Sequence, residues 1–203
     1  MPHYTEKDDI RKYWDDRYVE WDKHPDEAAL RGKDAWFEER FTHLLGAPRA
    51  SLDGVLDFGC GNGMYSEALL RRYGWYAGVD VSAKALHIAR RYFPESIRRV
   101  YRLLGAGPTN IPWPDETFDC VVSITVLQHL PVSMRLAAIA ELKRVLRPGG
   151  VYVGLEMMGN TQAFDMPPMP EGEWLEAWLP LRVTRDIPAA HPEWAADNVW
   201  FSE

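Results

Sequence analysis

Residues 55–66, VLDFGCGNGMYS, constrain the fold of this chain more than any other stretch. An apolar run long enough for one buried strand leads directly into glycines at 59, 61 and 63 and then into an amphipathic segment. A strand end that turns tightly while its backbone touches a ligand needs residues without a Cβ, so Gly59, Gly61 and Gly63 suit a cradle for a small molecule. The start of the helix that follows offers free N–H groups to a carboxylate or phosphate. Asp80 closes the next apolar run, 21 positions beyond Gly59, about the spacing at which such folds set a ribose-binding carboxylate.

Short apolar runs at 55–58, 75–80, 100–104, 120–125 and 151–156 alternate with helical patterns at 62–73, 82–93 and within 131–147. The runs do not alternate polar with apolar residues, which marks strands covered on both faces. The expected fold is α/β: a doubly wound, mostly parallel seven-stranded sheet in which 181–187 and 198–203 form an antiparallel edge hairpin. Ahead of it, Ile10, Tyr13, Trp14, Tyr18 and Trp21, then Trp36, Phe37, Phe41, Leu44 and Leu45, recur at helical spacing and predict a helical N-terminal cap. With 203 residues and 46% hydrophobic content the chain can bury one full core. A single domain over 1–203 is therefore expected, divided into a helical cap at 1–48, a cofactor-binding core at 50–156, and a lid loop with sheet-closing strands at 157–203.

The formal net charge of -7 disfavours a general electrostatic grip on nucleic acid or anionic membrane. Cys60 and Cys120 are the two cysteines, without metal-ligand spacing, so neither a disulfide framework nor a metal is expected. The charged N-terminus has no apolar h-region, and no run approaches the roughly 20 apolar residues of a membrane span. A cytoplasmic protein acting on a neutral or cationic small molecule is the expectation.

The glycines depart from the dinucleotide fingerprint G-x-G-x-x-G, because the third comes one place early and Met64 fills the last position; this weakens a nicotinamide-linked oxidoreductase reading. DFGCGNG at 57–63 instead resembles the first motif of class I (Rossmann-like) S-adenosylmethionine-dependent methyltransferases. Further stretches match in order: GVDVSAKALHIARR at 78–91, IPWPDETFDCVVSITVLQHLP at 111–131 and LKRVLRPGGVYVGLE at 142–156. Together they resemble the broad type 11 methyltransferase family over about residues 50–156. The resemblance implies S-adenosyl-L-methionine as cofactor, S-adenosyl-L-homocysteine as product, and methyl transfer to an O or N atom of a small molecule. It further implies that Asp57 receives the cofactor's amino group, that Gly59, Cys60, Gly61 and Gly63 line its methionine part, and that Asp80 binds the ribose hydroxyls. Val81 then lies near adenine and Thr125 near the sulfonium. YWDDRY at 13–18 resembles the N-terminal helix of many small members, in which case Tyr13 and Arg17 cover the methionyl end; an amphipathic helix with aromatics toward the core is the alternative.

One position departs from the family pattern. An acid that holds the adenine amino group is usual where this chain has Gly107, and the following Pro108 has no N–H to donate. A side-chain hydrogen bond from Thr109 or Asn110, a register shift of the loop, or a weakly binding or inactive scaffold of the same fold all remain open, as does a protein or RNA methyltransferase that needs a partner. His129, just beyond the fourth strand, is the first candidate for a general base, and Glu156 at the end of the fifth is the second; their bland alternatives are a structural histidine and a turn cap. Trp174, Trp178, Trp194 and Trp200 fall outside the shared motifs and suit either the wall of a pocket for a flat aromatic or cationic acceptor or plain core packing.

Overall fold

The computed structural model describes residues 7–45, 53–105, 110–156, 171–179, 183–186 and 198–202. Two helices come first, α1 (Lys7–Lys23) and α2 (Glu27–Leu45). Strands and helices then alternate through β1 (Gly54–Phe58), α3 (Ser66–Leu70), β2 (Trp75–Asp80), α4 (Ala83–Tyr92), β3 (Arg99–Leu103), β4 (Phe118–Ile124), α5 (Val132–Val145) and β5 (Leu146–Glu156). A short 3-10 turn, Leu127–His129, links β4 to α5. The described elements end with α6 (Glu171–Trp178), β6 (Val183–Asp186) and β7 (Asn198–Ser202).

The α/β class is as expected, and parallel pairing joins five strands of the sheet, in the order β3-β2-β1-β4-β5. β7 lies antiparallel on β5, and β6 antiparallel on β7. The strand order reverses between β1 and β4, so the loops leaving their carboxyl ends diverge and leave a crevice.

Side chains alternate across the sheet and build a core on each face. Leu56 and Phe58 face one cluster with Ile10, Val121, Ile139 and Tyr152. Val55 faces the other with Phe37, Phe41, Tyr76 and Val122. All of β1 is buried, as expected for a central parallel strand. α2 covers the second face through Phe37, whose ring lies 4.9 Å from Phe41 and 5.2 Å from Tyr65; each such buried aromatic contributes about 2 kcal/mol. α1 is tied to α4 by Asp15, whose Oδ1 accepts from Ser82 Oγ at 2.7 Å and from the Lys84 N–H at 3.1 Å. Trp178 of α6 is fully buried, its ring 4.0 Å from that of Tyr152, so this tryptophan serves the core.

The helix expected from 62 begins at Ser66. The Ser66 N–H bonds to the Gly63 carbonyl at 3.0 Å, and Gly63 has φ +78, so the chain is still turning where a helix was expected. Gly107, Pro108, the 157–170 segment and Trp194 lie outside the described residues. Among those described, no helix is long and apolar enough to cross a membrane.

Candidate active site

A cleft opens at the carboxyl ends of β1, β2 and β4 and encloses about 810 Å³ of empty space, part of it open to solvent. Its floor is the turn after β1. The N–H groups of Gly59 and Cys60 both donate to the Val79 carbonyl, at 2.8 and 2.9 Å, which ties this turn to β2. At Gly61 a side chain is excluded twice: its φ is +54, and a Cβ there would run into the Tyr18 hydroxyl. A Cβ on Gly63 would come 2.9 Å from the Tyr101 hydroxyl and 3.2 Å from Ala89, so the third glycine serves the packing of α4 and β3.

Asp80 stands at the rim of this turn. Its Oδ2 accepts from the Gly61 N–H at 2.9 Å and its Oδ1 from the Ser82 N–H at 2.8 Å. Burial pushes its pKa up to about 6, opposed by those backbone donors, so it is mainly ionised at neutral pH. Asp57, at 1% exposure, is buried beside the turn and does not line the cleft itself. The Tyr76 hydroxyl donates to its Oδ2 at 2.9 Å, and burial pushes its pKa up to about 7.

The opposite wall follows β4. Thr125 has φ +55, a conformation that a β-branched residue rarely adopts, and its N–H donates to the Leu155 carbonyl at 2.7 Å. His129 meets Trp14 edge to face, ring centroids 5.1 Å apart at 76°. Burial first, then the charges of Arg17 and Arg135, pull its pKa down to about 4. Its imidazole is neutral at pH 7 and able to accept a proton, though weakly basic.

The roof is one stripe of α1, Ile10, Trp14 and Tyr18, spaced four apart. Tyr13 sits beside the stripe, its ring 5.2 Å from Trp14, and Arg17 is exposed near His129. The structure thus brings Gly59, Cys60, Gly61, Asp80, Val81, Thr125 and His129 together around one cleft, and sets Tyr13, Arg17, Asp57, Gly63 and Glu156 outside its lining. Trp14, Tyr18, Met64 and Tyr65 are lining residues that motif reasoning misses. Trp14 and Tyr18 carry a signal nonetheless, since they continue the stripe that starts at Ile10.

Glu156 lies behind the β4 loop. Its Oε1 accepts from Ser123 Oγ at 2.8 Å, the Val126 N–H at 3.3 Å and the Leu127 N–H at 3.1 Å, and its Oε2 from the Gln128 N–H at 3.0 Å. Burial pushes its pKa up to about 7 against these donors.

Residues 56–154 match the family model described as a methyltransferase domain. That segment, just under half of the chain, is similar to the methyltransferase family so described. The matched segment contains the glycine turn, Asp80 and the β4 loop, and excludes the α1 roof. A ubiquinone biosynthesis O-methyltransferase of Thiobacillus denitrificans is 38% identical over 105 residues, 50% of this chain and 44% of that protein. An O-methyltransferase of Aspergillus nomiae is 27% identical over 157 residues, 70% of this chain and 69% of that protein. The chain spans about half the length of the ubiquinone-pathway relatives it matches. The solved geranyl diphosphate C-methyltransferase of Streptomyces coelicolor superposes with a TM-score of 0.68 at 16% identity, over 100% of this chain and 98% of that one. That likeness speaks for the fold alone.

Proposed function

We propose that this protein is an S-adenosylmethionine-dependent methyltransferase, folded as a single domain, that passes a methyl group to an O or N atom of a small-molecule acceptor by in-line displacement. The observation that carries the reading is the Asp80 carboxylate held 2.9 Å from the Gly61 N–H, at a turn where a Cβ would not fit, inside the methyltransferase-family segment. This donor set fits the cofactor. Each Asp80 oxygen spends one lone pair on a backbone N–H and keeps another for a ribose hydroxyl. In this reading Val81 lies beside adenine, Gly59, Cys60, Gly61 and Gly63 carry the methionine part, and Asp57 receives its amino group. Thr125 borders the sulfonium, and Tyr13 and Arg17 stand at the outer edge of the methionyl end.

The cofactor, when bound, supplies an electrophilic methyl group. The chain's own contribution is to fix the acceptor in line and keep water out, for which the rings of Trp14, Tyr18 and Tyr65 around the cleft are suited. Those rings favour a flat acceptor, and the names of the O-methyltransferase relatives favour an oxygen nucleophile. His129 takes the proton when the acceptor arrives protonated. The two buried thiols, Cys60 and Cys120, fit a reducing compartment such as the cytoplasm.

Calorimetric titration with S-adenosylmethionine and, separately, S-adenosylhomocysteine tests the reading. Micromolar binding of both supports it; no binding of either refutes it.

A further inference from the structure

The loop from Thr125 to Leu130 has two faces. Its inner face lines the cleft through Thr125, Val126, His129 and Leu130. Its outer face meets a buried acid and a buried base. Glu156, 1% exposed, accepts four hydrogen bonds, three of them from the successive N–H groups of Val126, Leu127 and Gln128. The three N–H groups are the orphan donors at the start of the 3-10 turn, and the Glu156 carboxylate satisfies all of them, with Oε1 taking three of its four hydrogen bonds. Arg135, 3% exposed, takes the carbonyl side: Nε donates to Leu130 O at 2.7 Å and Nη2 to Gln128 O at 3.2 Å. The two groups hold opposite sides of the same loop backbone, and the charge of Glu156 favours the protonated form of Arg135.

The arrangement has a direct effect on the wall of the cleft. Val126 is pressed onto the β1 turn so closely that a Cβ on Gly59 would collide with it. Thr125 is held at φ +55, and His129 is held against the edge of Trp14. Resting on the methyltransferase reading above, we propose that Glu156 and Arg135 are positioning residues that clamp the 125–130 loop from behind, and that Glu156 is not the proton acceptor.

The test follows the His129 imidazole by NMR titration of the whole chain, its resonance assigned with His129→Ala, alongside S-adenosylhomocysteine affinity by calorimetry. Glu156→Gln turns an amide –NH2 toward N–H groups that need an acceptor. Loss of the negative charge alone would lower the His129 pKa or leave it unchanged. Release of the loop exposes the ring and raises the pKa from about 4 toward the free value of 6.5. The expected result is an upward shift of at least about one unit with roughly tenfold weaker binding. An unchanged or lowered His129 titration with intact affinity overturns the clamp and returns Glu156 to the role of base. Should Glu156→Gln fail to fold, Arg135→Lys keeps the charge but replaces the guanidinium fork by a single donor group; the same upward shift is expected, and its absence there overturns the proposal. Failure of the wild-type chain to bind S-adenosylhomocysteine refutes the methyltransferase reading instead, and the His129 titration still decides the clamp.

Discussion

The backbone N–H of Gly61 points at the Asp80 carboxylate from 2.9 Å, joining the glycine turn to the end of the next strand. Asp80→Ala leaves the N–H groups of Gly61 and Ser82 without an acceptor, about 1–3 kcal/mol for each buried donor. We expect it to weaken S-adenosylhomocysteine binding by at least about tenfold, and Asp80→Asn, which keeps one acceptor, to do less. Wild-type affinity in Asp80→Ala, measured by calorimetry, rules out the ribose role.

Gly61→Ala should destabilise the chain by about 1–2 kcal/mol for the left-handed backbone alone, and further by collision with Tyr18. Adding Tyr18→Phe removes the colliding hydroxyl. Urea denaturation of the single and double variants separates the two contributions, and no recovery in the double variant shows that Tyr18 moves aside freely.

Thr125→Gly relieves a positive φ on a β-branched residue and should raise stability by about 1 kcal/mol while lowering turnover. Unchanged stability in chemical denaturation means that the strain is absent.

His129→Ala should lower turnover and spare cofactor affinity. Because the folded-state pKa is pulled down to about 4, the imidazole stays neutral above about pH 5. The rate it supports is then flat through neutrality and declines only as pH falls toward 4. Its contribution to stability is present above the unfolded value of 6.5 and is lost as pH falls through about 4. A pH–rate limb near 6.5 contradicts the buried setting.

Asp57 behaves in the opposite sense. Its folded-state pKa of about 7 lies above the ordinary 3.8, so the folded chain binds this proton more tightly than the unfolded one. The stability this contributes is full below pH 3.8 and lost as pH rises through about 7, on the order of a few kcal/mol. Asp57→Asn keeps an acceptor for Tyr76 and cannot titrate. Its melting temperature should fall less than that of wild type between about pH 5 and pH 8, and parallel curves would show that Asp57 is ionised throughout.

The glycine turn and Asp80 are legible in the sequence because their demands are local: a positive φ calls for glycine, and a strand end fixes where its last carboxylate stands. The parallel core is legible in the same way, from apolar runs too uniform to have a wet face. The helical wheel of α1 shows that Ile10, Trp14 and Tyr18 share a stripe, but which of two neighbouring stripes faces the cleft depends on packing against α4, through Asp15 and Ser82. Motif resemblance therefore favours Tyr13 and Arg17, where the structure turns Trp14 and Tyr18 inward. The destination of Glu156 is harder still to read. Its hydrogen-bond partners lie 28 to 33 positions away, and no local pattern records that three successive N–H groups converge on it.

α1 lies outside the methyltransferase-family segment, yet it lines the cleft together with residues from inside that segment. A molecule seated there touches both, so its binding and the docking of α1 are linked equilibria, and each strengthens the other by the same factor. The affinity of the site is in this sense shared with a helix the matched segment does not contain, held to it partly by Asp15 on Ser82 and Lys84. Amide exchange along α1 becomes a direct gauge of how full the cleft is, readable before any acceptor is known.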